Sequence, residues 1–264
     1  MSRHARMGSL VVLAVLGAVL VGVGPSAAVP AARETVQKLL AESIAAHGGA
    51  EKIAAQRALT IRSEGTLFAS DGETGPKPFS SVSTRLLPDK MRQVIRVGAE
   101  GGADGARPVE YVVVYNAGRG WMKVGGRVLE LGQDRLAPLE TELYVMLVSS
   151  LVPLTEEGYE LTLTDDPGMP SARVLVVRRQ ERPEVRLSID KETKLVVRSE
   201  YATTDGANNP VQHECFFQEF IAVGGVKRFK EYNIRRDSEL HVQGTVKEYK
   251  PAADADASLF TKPE

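Results

Sequence analysis

The chain has 264 residues, with 33 basic and 34 acidic side chains for a net charge of −1, 43% hydrophobic residues and one cysteine. Near-neutral charge lacks the basic excess by which nucleic-acid binders usually declare themselves. A lone Cys215 excludes an internal disulfide framework, and a chain of this length can bury a core without one.

The first residues read as a secretion signal. Arg3 and Arg6 give a basic start, residues 10–23 are an apolar run broken only by glycine, and Pro25-Ser26-Ala27-Ala28-Val29-Pro30-Ala31-Ala32 is a small-residue end. The run of ~14 residues falls short of the ~20 that a bilayer core requires, which favours a cleaved signal over a retained anchor. Cleavage after Ala28 leaves Ser26 and Ala28 as the small pair, with Ala31 as a second position. The expected organisation is a signal over 1–28 and one domain over 29–264. No cysteine lies near the cut for lipid attachment, so the mature chain is expected to be soluble and extracytoplasmic (periplasmic or secreted). Losing Arg3 and Arg6 lowers 33 basic residues to 31 against 34 acidic ones.

Val36, Leu39, Leu40 and Ile44 recur at helical spacing and predict a helix over 32–47, stopped by Gly48-Gly49. One more helical turn follows over 50–56. From Ala58 the rhythm changes to period two. Alternating or β-branched runs at 58–67, 80–87, 91–97, 109–115, 120–124 and 127–131 are separated by turn signals at Asp71-Gly72, Pro88-Asp89, residues 98–105, residues 116–118 and Gly125-Gly126. A second long helix is expected over 135–151. Leu136, Leu139, Leu143, Met146, Leu147 and Ser150 trace its stripe, Pro138 falls in its first turn and Pro153 closes it. Strands resume at 159–164, 172–178, 184–190, 195–201, 211–222, 226–235 and 240–249. Charged partners such as Arg186, Lys194 and Arg198 alternate with Leu187, Ile189, Leu195 and Val197, which buries one face and wets the other. The fold class is mainly β with helices (α+β): a meandering antiparallel sheet or barrel whose apolar face the two helices must cover.

Three stretches make the chain resemble the periplasmic lipoprotein-carrier superfamily, the LolA/LolB-like outer-membrane lipoprotein-sorting proteins and their relatives. The first is His47-Gly48-Gly49-Ala50-Glu51-Lys52-Ile53 followed by the strand from Leu59 to Leu67. The second is Tyr115-Asn116-Ala117-Gly118-Arg119-Gly120-Trp121. The third is Gly224-Gly225-Val226, then Val246-Lys247-Glu248-Tyr249-Lys250 and Asp256-Ala257-Ser258-Leu259-Phe260-Thr261-Lys262-Pro263. The resemblance implies a curved, half-open, barrel-like antiparallel sheet with helices on its concave face, holding acyl chains or apolar segments there.

Residues of catalytic type lack the context that catalysis needs. Ser188 and Lys191 have S-x-x-K spacing, but that pair works on a helix, and here it straddles a strand end. His213 and Cys215 share a strand face without a second pair of metal-ligand spacing. The glycines of 98–105 precede a strand and so make no phosphate cradle. Asp165-Asp166-Pro167-Gly168 reads as turn chemistry. Neither a catalytic group, a metal site nor a cofactor is expected.

The apolar features are more informative. Core packing is the ordinary reading of each large apolar residue. The functional reading is a ligand cavity between sheet and helix, lined by Trp121, Met122, Leu139, Leu143, Met146, Leu147 and Phe216. Phe216 and Phe217 cannot both face inward on a regular strand. The expected activity is that of a non-enzymatic, monomeric carrier. Its expected partners are a lipid or acylated lipoprotein and envelope proteins, not nucleic acid. The alternative is an envelope interaction or sensor module of the same fold without a small ligand.

Overall fold

The computed structural model describes residues 28–68, 75–98, 107–205 and 208–264. The signal region, the Asp71-Gly72 turn and the glycine-rich loop at 99–106 lie outside the described residues. Two helices come first, α1 (Ala28–His47) and α2 (Ala50–Ala55). Six strands follow: β1 (Ala58–Leu67), β2 (Lys77–Leu86), β3 (Lys90–Val97), β4 (Val109–Asn116), β5 (Arg119–Val124) and β6 (Arg127–Glu130). After α3 (Gln133–Ser149) and a 3₁₀ turn at Val152–Thr155 come β7 (Glu160–Thr164), β8 (Ala172–Arg178), β9 (Val185–Asp190) and β10 (Val196–Thr204). The chain ends with β11 (Pro210–Val223), β12 (Val226–Arg236), β13 (Glu239–Pro251) and a 3₁₀ turn at Ala257–Phe260. Each strand expected from the alternation is present, with ends shifted by a few residues.

All thirteen strands join one open antiparallel sheet in the order β6-β5-β4-β3-β2-β1-β13-β12-β11-β10-β9-β8-β7. Hairpins spread outward from the centre on both sides, and the centre is where the first and last strands pair, Leu59 opposite Pro251 and Leu67 opposite Val242. The edges, β6 and β7, are consecutive in sequence yet at opposite ends of the sheet. The chain between them must therefore travel from edge to edge, and α3 makes that journey.

Alternation decides what α3 meets. On β2 to β5 one face carries the row Ser83–Gln93–Val113–Met122 and the parallel row Arg85–Met91–Tyr115–Gly120. Met91, Tyr115, Leu131, Leu136 and Leu143 form one buried cluster, with Leu87, Met122 and Leu139 packed against it, so this is the face that α3 occupies. Gly120 fits because a β-carbon there would come within 2.7 Å of Leu136. On the other half, Tyr144, Val145 and Val148 of α3 join Val36, Leu39, Leu40 and Ile44 of α1 over Leu175, Val177, Val185, Leu187, Ile189 and Val196. The side of α3 is thus divided between two clusters.

Two local expectations need correction. The helix begins at Gln133, with Gly132 as its cap, which moves Pro138 into the second turn. Proline there removes the N–H that would bond the Asp134 carbonyl. The burial stripe also differs from Leu136-Leu139-Leu143-Met146-Leu147-Ser150: the buried residues are Leu136, Leu143, Tyr144, Val145 and Val148, and Met146, Leu147 and Ser150 are half-buried. A helix clamped between two clusters buries two flanks rather than one stripe. Its end is held by Leu151, fully buried in the left-handed region at φ 68°. That conformation costs a bulky residue free energy, which the burial of its side chain in the core offsets.

The three stretches behind the family resemblance turn out to touch one another. His47 Nε2 accepts from Val196 N–H (3.1 Å), and His47 Nδ1 lies 3.3 Å from the Lys227 carbonyl. Gly48, at φ 120°, leaves only 2.2 Å between a would-be β-carbon and the Gly225 carbonyl oxygen. Gln56 Nε2 then donates to Val223 O at 2.9 Å. At the opposite end, Asn116 Nδ2 donates to the carbonyl of Phe260, itself buried. These motifs are joints of the fold rather than chemistry.

Candidate ligand-binding face

The inner face, the one α3 occupies, is not uniformly packed. Ile61, Ile95, Val113 and Met122 are only half-buried, and so are Leu139, Met146 and Leu147 on the helix. Across β13, Tyr249 stands opposite Ile61. Tyr232 lies over Gly244, where a β-carbon would meet the ring at 2.2 Å, and its hydroxyl donates to Ser63 Oγ at 3.3 Å. Phe229 stacks on Phe217 at 4.7 Å and meets Tyr232 (5.8 Å) and Tyr249 (6.2 Å) edge-on. The face is therefore aliphatic along β1, β3, β4 and β5 and aromatic along β11, β12 and β13.

Seven residues were expected to line this site, and the structure divides them. Met122, Leu139 and Leu143 come together in one cluster. Met146 and Leu147 lie half-buried on the same helix. Trp121 does not join them. Strand alternation sends it to the opposite face, where it packs with Val112 and Val114 and lies 5.3 Å from the Arg119 guanidinium. Phe216 is likewise on the far face, between Arg198 (5.8 Å) and Arg235 (5.2 Å). Phe217 packs against the helix-side cluster in its place. The signal that would have found Phe217 was available: His213 and Cys215 share a face, and the same parity continues to 217.

Sequence reasoning missed a polar band on the inner face. Tyr201 Oη and His213 Nδ1 are 3.2 Å apart, and Arg236 Nε donates to His213 Nε2 at 3.0 Å. That bond requires an unprotonated Nε2, so the ring is neutral with its proton on Nδ1, shared with Tyr201. Burial, then the Arg236 charge, pushes the His213 pKa down to about 4. Burial raises Tyr201, with the charge of Glu142 on α3 adding to it. Burial also pushes the Cys215 thiol up to about 12, which keeps it an unreactive thiol rather than a nucleophilic thiolate. Arg85 completes the band from β2, its Nε donating to Ser83 Oγ at 2.8 Å.

The sites of catalytic type are held structurally. The Ser188 hydroxyl accepts from Arg198 Nε at 3.2 Å, while Lys191 reaches away to the Pro170 carbonyl. Asp166 forms the expected turn by accepting from Gly168 N–H at 2.8 Å, and it also ion-pairs with Arg198. No group of three or more metal-binding side chains occurs among the described residues. A pocket of about 330 Å³ opens on α1, lined by Gln37, Leu40, Ala41, Ile44, Gly49 and Ala50 among others, away from α3.

No family model and no curated protein sequence matches the chain. Among solved structures it is similar to a DUF1329 family protein from Desulfovibrio piger, 13% identical with a TM-score of 0.51, over 86% of this chain and 97% of that one. It is also similar to a LolA superfamily protein from Nitrosomonas europaea, at 12% identity and TM-score 0.49 over 86% and 97% of the two chains. A putative outer membrane lipoprotein-sorting protein domain from Vibrio parahaemolyticus has 10% identity and TM-score 0.49 over 87% and 97%. At such identities the likeness is one of fold alone, and the DUF1329 structure carries it.

Proposed function

We propose that this chain is an extracytoplasmic, non-enzymatic carrier that holds an acyl chain against the inner face of its sheet, with α3 as the cover. The observation that carries this reading is the half-burial of Ile61, Ile95, Val113 and Met146 on the inner side, with Met122 and Leu139 half-buried at the edge of one packed cluster. Apolar side chains left partly exposed along an inner surface gain by taking up an apolar guest. Burying a methylene contributes about 0.8 kcal/mol, so about ten of them supply about 8 kcal/mol toward the cost of association. No covalent step is involved. Release requires α3 to lift or a partner to compete, and the free carrier of a lipid or acylated lipoprotein has no need of a cofactor.

Native mass spectrometry of the mature protein, purified gently from its own envelope, is the direct test. A copurifying lipid mass is the expected result. A bare mass that stays bare after incubation with phospholipid and lipoprotein extracts would overturn the reading. In the variant Met146→Arg, lipid affinity is expected to fall while the β-sheet signal in circular dichroism persists.

A second reading has its own observation. Leu129 is 49% exposed on edge strand β6, whose outer hydrogen-bonding side has no strand partner among the described residues. An envelope protein adding a strand there would make the chain an interaction module. Leu129→Lys would then abolish partner binding and leave lipid uptake unchanged.

A further inference from the structure

The turn that joins β8 to β9 holds two arginines against two tyrosines. Arg182 N–H donates to the Arg179 carbonyl at 3.2 Å, with Glu181 in the left-handed region at φ 58°, so a tight turn keeps both side chains at one end of the sheet. Arg179 Nη1 donates to Tyr159 Oη at 2.9 Å, and its guanidinium lies 4.8 Å from that ring. The Arg182 guanidinium lies 5.6 Å from the ring of Tyr144, which α3 brings to the same place. A cleft of about 360 Å³ opens here, lined by Gly158, Tyr159, Glu160, Arg178, Arg179 and Gln180. Arg178 and Arg186, on the flanking strands, share Glu184 within 4 Å. Among the described residues Arg179 and Arg182, both exposed, have no carboxylate within that distance. Acidic groups do stand near: Glu140 accepts from Tyr115 Oη at 3.0 Å, and Glu157, Glu160 and Glu181 are exposed at the rim. The place is therefore no field of one sign, and any selectivity it has must come from placed donors.

The Tyr144 hydroxyl is the second observation. Tyr144 is 4% exposed, and its Oη is buried without a hydrogen-bond partner among the described residues. A buried polar group in that state costs free energy unless a further partner satisfies it. The charges that bear on this hydroxyl are those of Tyr159, Arg179 and Arg182, which agrees with an oxygen turned toward the cleft. Burial pushes its pKa up to about 12, so at neutral pH it keeps a proton to donate. Tyr159 Oη already accepts from Arg179 and likewise has its own proton to give. These donors come from α3, from the residue before β7 and from the turn after β8. Donors converging from three elements suit the spread acceptors of a tetrahedral oxyanion better than a planar carboxylate. We propose that this cleft receives a phosphate group, donated to by the Tyr144 and Tyr159 hydroxyls and by Arg179 and Arg182. Arg182, exposed and lying over the Tyr144 ring, is the group that moves aside to admit it. Free phosphate and a lipid headgroup share this chemistry, and the test separates them. The seat is distinct from the half-buried apolar row on β1 to β5, so it stands or falls apart from the acyl-carrier reading.

The test is calorimetric titration of the full mature protein at pH 7.5 with inorganic phosphate, with soluble dihexanoyl phosphatidic acid and with acetate. At least one of the two phosphate compounds is expected to bind tenfold or more tightly than acetate. Tyr144→Phe and Arg179→Gln should each weaken that binding severalfold, and the two together should abolish it. Tyr144→Phe keeps the ring in the core, so its denaturation midpoint is expected to equal or exceed that of the natural protein. A lower midpoint would mean that the hydroxyl is bonded within the fold, and the seat would be lost. It is lost equally if neither phosphate compound binds, or if acetate binds as tightly as phosphate. Phosphatidic acid that binds with undiminished affinity in both variants is held elsewhere by its chains, which would remove the seat and leave the carrier reading in place. Where the substitutions do weaken binding, the source follows from the two arms. Inorganic phosphate bound as tightly as phosphatidic acid assigns a free phosphate, and phosphatidic acid bound tenfold more tightly assigns a lipid headgroup.

Discussion

The two halves of the sheet bury their inner faces to different depths. On β8 to β10, Leu175, Val177, Val185, Leu187 and Ile189 are fully buried beneath α1 and α3. On β1 to β5 only Met91 is fully buried on that face, with Leu59, Phe79 and Tyr115 nearly so, while Ile61, Ile95, Val113 and Met122 remain half-buried. The inner face of β1 to β5 also carries Ser63, Ser81, Ser83, Arg85 and Gln93, so composition contributes to the contrast. Coverage adds to it. α1 adds a second layer over β8 to β10, while the other half has only the first half of α3 above it. One half therefore behaves as scaffold, and the other presents apolar surface that a ligand can use.

Core substitutions test that contrast most severely. Leu187→Ala, in the fully buried half, is expected to cost about 4 kcal/mol by chemical denaturation. Ile95→Val, on the half-exposed side, should cost well under about 1 kcal/mol. Similar losses at both positions would mean that the two halves are equally packed and would remove the physical basis for the binding face.

The outer side of the scaffold half supplies the next largest effect. Arg198 is nearly buried, donates to Ser188 Oγ and Glu214 Oε1, and ion-pairs with Asp166 and Glu200. Arg198→Met strands those carboxylates and is expected to cost about 3 kcal/mol, read as a lower denaturation midpoint. The double change Arg198→Met with Glu214→Gln should recover part of the loss, because it removes one of the uncompensated charges.

The elements of the fold were legible because strand and helix periods are local properties. The runs 58–67 and 184–190 advertise their strands, and Val36, Leu39, Leu40 and Ile44 advertise α1. What the sequence does not carry is how α3 would be shared. A stripe through Leu136, Leu139 and Leu143 correctly points to one cluster, but the flank bearing Tyr144, Val145 and Val148 becomes buried only because α1 and β8 to β10 gather around it. The candidate site was half legible for a related reason. Met122 and Leu139 were found by apolarity, while Trp121 and Phe216 were included for their size although strand parity separates Trp121 from Met122 and Phe216 from Phe217. Arg85, Glu142, His213 and Arg236 come from four separate elements, so no spacing along the chain could announce them.

A moderate effect is expected from pH, and it bears on the polar band between the halves. Unfolded histidine takes a proton near pH 6.5, whereas folded His213 resists until about pH 4. Its contribution to stability is therefore complete above pH 6.5 and lost progressively as pH falls toward 4. His47 and His241 are lowered in the same direction, by burial first, so they add to the slope. Thermal melts should show the midpoint falling between pH 7 and 4.5, and His213→Asn should flatten part of that fall. A variant as pH-sensitive as the natural protein would mean that His213 is not held neutral.

The smallest expected effect is the most informative about which face is used. Trp121, the chain's single tryptophan, is buried on the outer face with Val112 and Val114. A ligand on the inner face leaves its surroundings unchanged, so saturation with an acyl ligand should not move its emission maximum. Moving the probe by one residue moves it through the sheet, because consecutive strand positions point to opposite sides. In Trp121→Phe with Met122→Trp the indole stands on the inner face beside Leu139 and Leu143. There the same ligand should replace water at the ring and shift emission to the blue. A shift from Trp121 and none from the residue at 122 would place the guest on the outer face, and the roles assigned to the two sides of the sheet would have to be exchanged.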